Sequence, residues 1–163
     1  MLKDFHYYTQ QEIDDLFQPE KIKHTALGGI AIKLYNRTGV VTVQGQLVKA
    51  DTGTDDGFII TGVDDTEAMG VVLESGIADD ALAWIVISGI CDVAMKDNTA
   101  ATRGNWVKVS DEAGYADSTL ATPPFGGVAQ LDEHMREIGH CIESVAAGGG
   151  GTHILARCVL TFN

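Results

Sequence analysis

The chain is poor in proline and in cysteine, with 3 of each among 163 residues. It has no uninterrupted apolar run of about 18 residues, the length a membrane-crossing helix needs. Basic residues are scarce: 11 Lys and Arg stand against 23 Asp and Glu, for a net charge of -12. Residues 1–35 are nearly balanced, so almost all the excess acid belongs to the glycine-rich body that follows. Such a body repels phosphate, which argues against a nucleic-acid partner. Catalytic signatures are missing as well: there is no GxSxG, no Walker A loop, no HExxH and no GxGxxG between strand and helix. The opening MLKDFHYYTQQEIDD lacks the basic start and apolar centre of a secretory signal, so folding in a cytoplasm is expected.

The cysteines, Cys91, Cys141 and Cys158, have no CxxC spacing and read as buried, reduced thiols acting as small hydrophobes. A second reading concerns two of them. If AAGGGGTH is a symmetric hairpin loop, Cys141 and Cys158 face each other on paired strands, and a cross-strand disulfide is geometrically possible. A reducing compartment opposes it.

What the chain does have is 19 glycines and a sequence that repeats itself. MGVVLES at 69–75 returns as IGHCIES at 138–144, with Gly139 for Gly70 and Glu143-Ser144 for Glu74-Ser75. GQLVKAD at 45–51 returns as GNWVKVSD at 104–111, aligning Val48-Lys49 with Val107-Lys108. Both motifs recur in the same order, and each second motif is followed by a turn and a β-branched stretch, AWIVISG or ILARCVLTFN. TGVVTVQGQLVKA alternates in part, with Val41 and Val43 on one side and Thr42 and Gln44 on the other. Short β-branched strands with glycine-rich turns predict an all-β barrel or sandwich built from two similar β units, about 39–89 and 90–163.

The first 35 residues read differently, as an arm. Thr9-Gln10-Gln11-Glu12 is a capping-box pattern, Ile13, Leu16 and Phe17 then form one apolar face, and Pro19 ends the helix. So short a helix must dock on something, either an end of its own barrel or a neighbouring subunit. Phe5, Tyr7 and Tyr8 suit contact anchors. Trp84 and Trp106, in or beside the repeated strands, are expected in the core.

Several candidate sites are weaker. DTGTDDG at 51–57 spaces Asp51, Asp55 and Asp56 like a calcium loop but lacks the closing Glu, so a solvated turn is expected. His134, His140, Cys141 and His153 could be gathered round zinc, except that alternation sends His140 and Cys141 to opposite faces of a strand. The GGGG at 148–151 has no following Lys-Ser/Thr and reads as a hairpin tip. The acid pairs Asp64-Asp65 and Asp132-Glu133 precede the repeated strand in both halves, which favours a recurring exposed turn over a hydrolase cleft. Ser75 and Ser144 have no evident His–Asp partners. No reaction, cofactor or metal is proposed by these residues.

GQLVKAD, MGVVLES with AWIVISG, GNWVKVSDEAGYAD and the closing IGHCIES…LTFN together resemble the small capsid decoration (cement) proteins of tailed bacteriophages, over roughly residues 36–163. The resemblance implies a β-rich, often trimeric virion structural protein, made in the host bacterial cytoplasm. It would bind the major capsid protein at local threefold positions on the outside of the icosahedral head and stabilise the shell. Phe5, Tyr7, Tyr8, Ile13, Leu16 and Phe17 would then make capsid or intersubunit contacts, with no membrane and no catalysis. The alternative is a carbohydrate- or receptor-binding module on a phage fibre or head spike, for which PPFGG with Phe125 is the candidate loop.

Overall fold

The structure is a computed structural model that describes residues 21–119 and 128–162. Ten strands follow one another: β1 (Ile22–His24), β2 (Ile30–Asn36), β3 (Leu47–Ala50), β4 (Gly57–Ile60), β5 (Gly70–Val72), β6 (Leu82–Ala94), β7 (Trp106–Val109), β8 (Ala116–Thr119), β9 (Glu137–Cys141) and β10 (Leu155–Leu160). Among the described residues one helix, α1 (Val128–Met135), precedes β9. The protein is all-β, as the strand-length motifs predict: a closed five-stranded barrel with further strands outside it.

The barrel runs β2–β4–β3–β5–β6 and closes where β6 pairs with β2. Beyond it the sheet continues β6–β10–β9–β7–β8, and a single parallel bridge from Met95 to Ala116 brings β8 back to the end of β6. The second five strands therefore retrace the first. Val48 lies opposite Gly70 as Val107 lies opposite Gly139, and Val72 lies opposite Ile85 as Cys141 lies opposite Cys158. The loops repeat too. Gln44 N–H donates to Ser75 Oγ at 2.8 Å, and Arg103 N–H donates to Ser144 Oγ at 3.0 Å. Both halves of the sequence repeat thus encode one pairing scheme, with the serine of each E-S motif holding the loop that leads into each V-K strand.

β6 is the last strand of the first unit and the first strand of the second. Its β-branched run sustains 13 residues, and Gly89 (φ 82°) bends it midway. A Cβ there would stand 2.7 Å from Gly28 O, so glycine is required by contact as well as by conformation.

The interior follows from the alternation of strands. Val48, Phe58, Val72, Ala83 and Ile85 fill the first barrel. A larger cluster joins outward-facing Ala31, Leu47, Val71 and Val86 of that barrel to residues of the second unit such as Val93, Met95, Val107 and Ile138. Each such side chain contributes roughly 1.5–3 kcal/mol on burial, so this interface binds the two units into one body. The units differ at one end. Asn36 is fully buried where the second unit has Met95. Its Nδ2 donates to Val40 O and Ile77 O, and its Oδ1 accepts from Thr38 N–H and Oγ–H, so the whole amide is satisfied.

Three expectations change. The barrel begins inside the stretch assigned to the arm, because β1 and β2 occupy residues 22–36. IAIKLYN earns its place in the barrel through Ala31, buried between the two units, and Leu34, packed on the first core. In TGVVTVQGQLVKA only Leu47–Ala50 is strand. Val41 and Val43 are exposed while Thr42 is buried, since Thr42 Oγ donates to Glu74 O and accepts from Ile77 N–H. The connections between repeated motifs contain β4 and β8, which pair with the preceding β3 and β7 and reach back to β2 and to Met95, and, in the second unit, α1.

Candidate binding surface

Phe5, Tyr7, Tyr8, Ile13, Leu16 and Phe17, the residues expected to make contacts, lie outside the described residues, as does Phe125. The remaining sequence candidates are placed, and most of them are structural. His140 packs on Trp106 with ring centroids 3.8 Å apart, while Cys141 next to it is buried. His134 Nδ1 lies 2.6 Å from Glu137 Oε2, and His153 Nε2 lies 2.7 Å from Glu112 Oε1 while its ring stacks on Tyr115. Among the described residues, no group of three or more His, Cys, Asp or Glu is arranged to hold a metal. Asp51 Oδ1 accepts from Gly53 N–H, an Asx turn at the start of the acidic loop. In the GGGG segment, Gly151 N–H donates to Asp97 Oδ2, which ties the β9–β10 loop to the end of β6.

The acid pairs have a specific task. Lys49 Nζ is 2.8 Å from Asp65, and its counterpart Lys108 Nζ is 3.1 Å from Glu133. Each repeated V-K lysine is matched by an acid from the segment leading into the repeated glycine strand. Asp64 is exposed, as a recurring exposed turn requires, but Asp65 beside it is not: its side chain is 9% accessible. Burial alone would raise its pKa, yet the hydrogen bond from Lys49 and those from the Glu67 and Gly62 amides hold it below the usual carboxylate range. The hydrogen bond with Asp65 holds the Lys49 pKa above its ordinary value.

The same pairing extends through the body. Arg37 meets Asp80, Lys96 meets Asp111 and Asp117, Arg136 meets Asp64, and Arg157 faces Asp92. Arg103 spends its Nε on Ile142 O. Lys21, Lys23 and Lys33 are different: among the described residues, none of them has a carboxylate partner.

These three lysines share one face of β1 and β2. Lys33 lies opposite Trp84 across the β2–β6 pair. Lys33 Nζ stands 5.2 Å from the Trp84 ring centroid and Lys23 Nζ stands 4.3 Å from it. Cations at this range are attracted to the indole face by roughly 0.5–2 kcal/mol. Trp84 is half-buried and packs against the larger core cluster, in keeping with its expected core position, and Trp106 is half-buried as well. β1 pairs only with β2 among the described strands, leaving the backbone of its other edge open. An open strand edge accepts an added strand. Here that edge is short, cationic, beside a tryptophan, and directly continuous with residues 1–20. Sequence reasoning missed this surface because the lysines appear there only as part of a balanced N-terminal charge.

No family model matches the chain, and no curated protein is significantly similar to it.

Proposed function

We propose that the protein is a head decoration protein of a tailed bacteriophage, which binds the outside of the capsid and stabilises the shell without performing chemistry. The observation that carries this reading is the β1 edge, unpaired among the described residues, where Lys23 and Lys33 lie over Trp84 and where these two and Lys21 have no carboxylate partner among the described residues. Elsewhere in the body, six of seven Lys and Arg side chains face carboxylates of the same chain. Charge left over at one edge of an acidic protein suits an acidic surface of a partner. Residues 1–20 adjoin that edge and supply Phe5, Tyr7, Tyr8, Ile13, Leu16 and Phe17 as apolar anchors. The acidic remainder faces solvent in this arrangement, where it keeps a crowded protein soluble.

Stabilisation follows from mass action. A protein that binds the assembled shell and not its dissociated subunits shifts the equilibrium toward assembly. Copies arranged as trimers at the local threefold positions gain further by avidity. The test is cosedimentation with procapsids and with expanded heads, using the full chain and a chain lacking residues 1–20. The full chain pellets with heads; the shortened one remains folded by circular dichroism and stays in the supernatant. Failure of the full chain to bind any head refutes the function, and full binding by the shortened chain refutes the role of the arm.

A further inference from the structure

We propose that Cys141 and Cys158 are a disulfide-forming pair that a hydroperoxide closes, stapling β9 to β10 inside the second unit.

The pairing comes from the ladder. Cys141 lies directly opposite Cys158, and their sulfurs are 4.0 Å apart. The adjoining rungs show which kind of position this is. Ile142 N–H donates to Arg157 O, and Thr161 N–H donates to Ile138 O, so the cysteines fall between hydrogen-bonded rungs. At such positions the Cα atoms approach to about 4.5 Å and the side chains lean together, within the range that a disulfide spans. Cys158 also faces Cys91, on its other side. There Met95 N–H donates to Ile154 O, which puts Cys91 and Cys158 on a hydrogen-bonded rung, where the side chains stand farther apart. The ladder therefore selects Cys141 over Cys91.

The surroundings sort the three thiols in the same way. Cys158 Sγ lies 4.0 Å from the Cys141 sulfur and 3.4 Å from Ala156 O, and Ser118 Oγ is 3.7 Å from the Cys141 sulfur. The hydrogen bond with Cys158 brings the Cys141 thiol down to about 7, whereas burial pushes Cys91 up to about 12. Cys141, whose sulfur both Cys158 Sγ and Ser118 Oγ approach, is the nucleophile; it is buried, so peroxide reaches it by local opening of the β9–β10 ladder. Its thiolate attacks one oxygen of the hydroperoxide, forming a sulfenic acid as the O–O bond breaks and the departing oxygen takes up a proton. The Cys158 sulfur then attacks the sulfenic sulfur, its proton leaves with the hydroxyl as water, and the S–S bond forms. With hydrogen peroxide, two thiols and one peroxide give one disulfide and two waters.

The first unit has Val72 and Ile85 at the equivalent rung, so the fold does not need sulfur there. A reducing cytoplasm keeps the pair open and an oxidising medium closes it; that timing, unlike the pairing, rests on the virion reading.

The test treats folded, full-length protein with hydrogen peroxide and follows intact mass, free thiols after denaturation, and non-reducing peptide maps. The expected product is lighter by two hydrogens and retains one thiol, with a Cys141–Cys158 linked peptide and a higher urea midpoint that dithiothreitol reverses. C91V gives the same linked peptide and retains no thiol. C158I, which restores the first unit's residue, instead leaves a dimedone-reactive sulfenic acid on Cys141. A Cys91–Cys158 link, an intermolecular link, or three surviving thiols in folded protein under conditions that oxidise the urea-unfolded chain would overturn the proposal.

Discussion

Gly70 and Gly139 occupy equivalent rungs, yet replacing them with alanine is expected to have unequal effects. At Gly139 the backbone sits at φ 147°, and an added Cβ would lie 1.9 Å from Val159 O and 2.9 Å from its carbonyl carbon. Both obstacles are main chain in the paired strand, so relief requires β9 and β10 to part by roughly 1 Å. The conformation alone costs about 1–3 kcal/mol, and weakening two ladder bonds adds about 1 kcal/mol each. A destabilisation of about 3–5 kcal/mol is therefore expected for Gly139→Ala. At Gly70 the nearest atom is Ile85 Cγ2 at 2.4 Å, a side-chain atom that yields through a small shift of the Ile85 side chain, with Val86 O at 3.1 Å. Gly70→Ala should cost about 1–3 kcal/mol, an ordinary overpacking penalty. Urea unfolding followed by the fluorescence of Trp84 and Trp106 measures both on one scale. A Gly139→Ala loss below about 1 kcal/mol, or one no larger than that of Gly70→Ala, would refute the steric argument.

The two serines make a second matched pair: Ser75→Ala and Ser144→Ala should each cost about 0.5–1.5 kcal/mol in the same assay, and agree within about 0.5 kcal/mol, because each removes one acceptor from an equivalent backbone amide. Stability should fall on acidification. Asp65 and Glu112 are held below their ordinary pKa values, so the unfolded chain binds more protons than the folded one as pH drops below about 4. Glu112 owes its shift first to the Asp97 amide and then to His153, and urea midpoints of Asp65→Asn and Glu112→Gln should change less with pH over this range. Replacing Lys21, Lys23 and Lys33 together by glutamine removes both cation–π contacts with Trp84, so it should cost about 1–2 kcal/mol by urea unfolding and leave the protein folded, while weakening head binding and its salt dependence, which cosedimentation at two ionic strengths reads.

Much of the fold was legible because the repeat is written in residues that the ladder constrains. Gly70 and Gly139 mark rungs without room for a side chain, and Ser75 and Ser144 mark loop anchors, so aligning them aligns the pairing. Alternation also placed His140 and Cys141 on opposite faces. GFII and ADST were illegible as strands because four-residue elements carry no period of their own, although each pairs with the strand just before it. Alternation put Val41 and Val43 on one side and Thr42 on the other, but not which side is buried: the hydrogen bonds available to Thr42 decided that. The lysine edge could not be read from charge alone, since it depends on which carboxylates fold within reach of Lys49, Lys96 and Lys108 and which lysines are left over.

The bend at Gly89 has a genetic consequence. No spacer separates the two units; the strand passes from one interior to the other with Ile85 facing the first and Cys91 the second. Because side chains alternate every residue, inserting or deleting a single codon beside Gly89 would turn one unit inside out, presenting its apolar lining to water. Length variation among natural variants should therefore collect in the connections at 51–57 and 146–153 and avoid the middle of β6, however exposed that joint is.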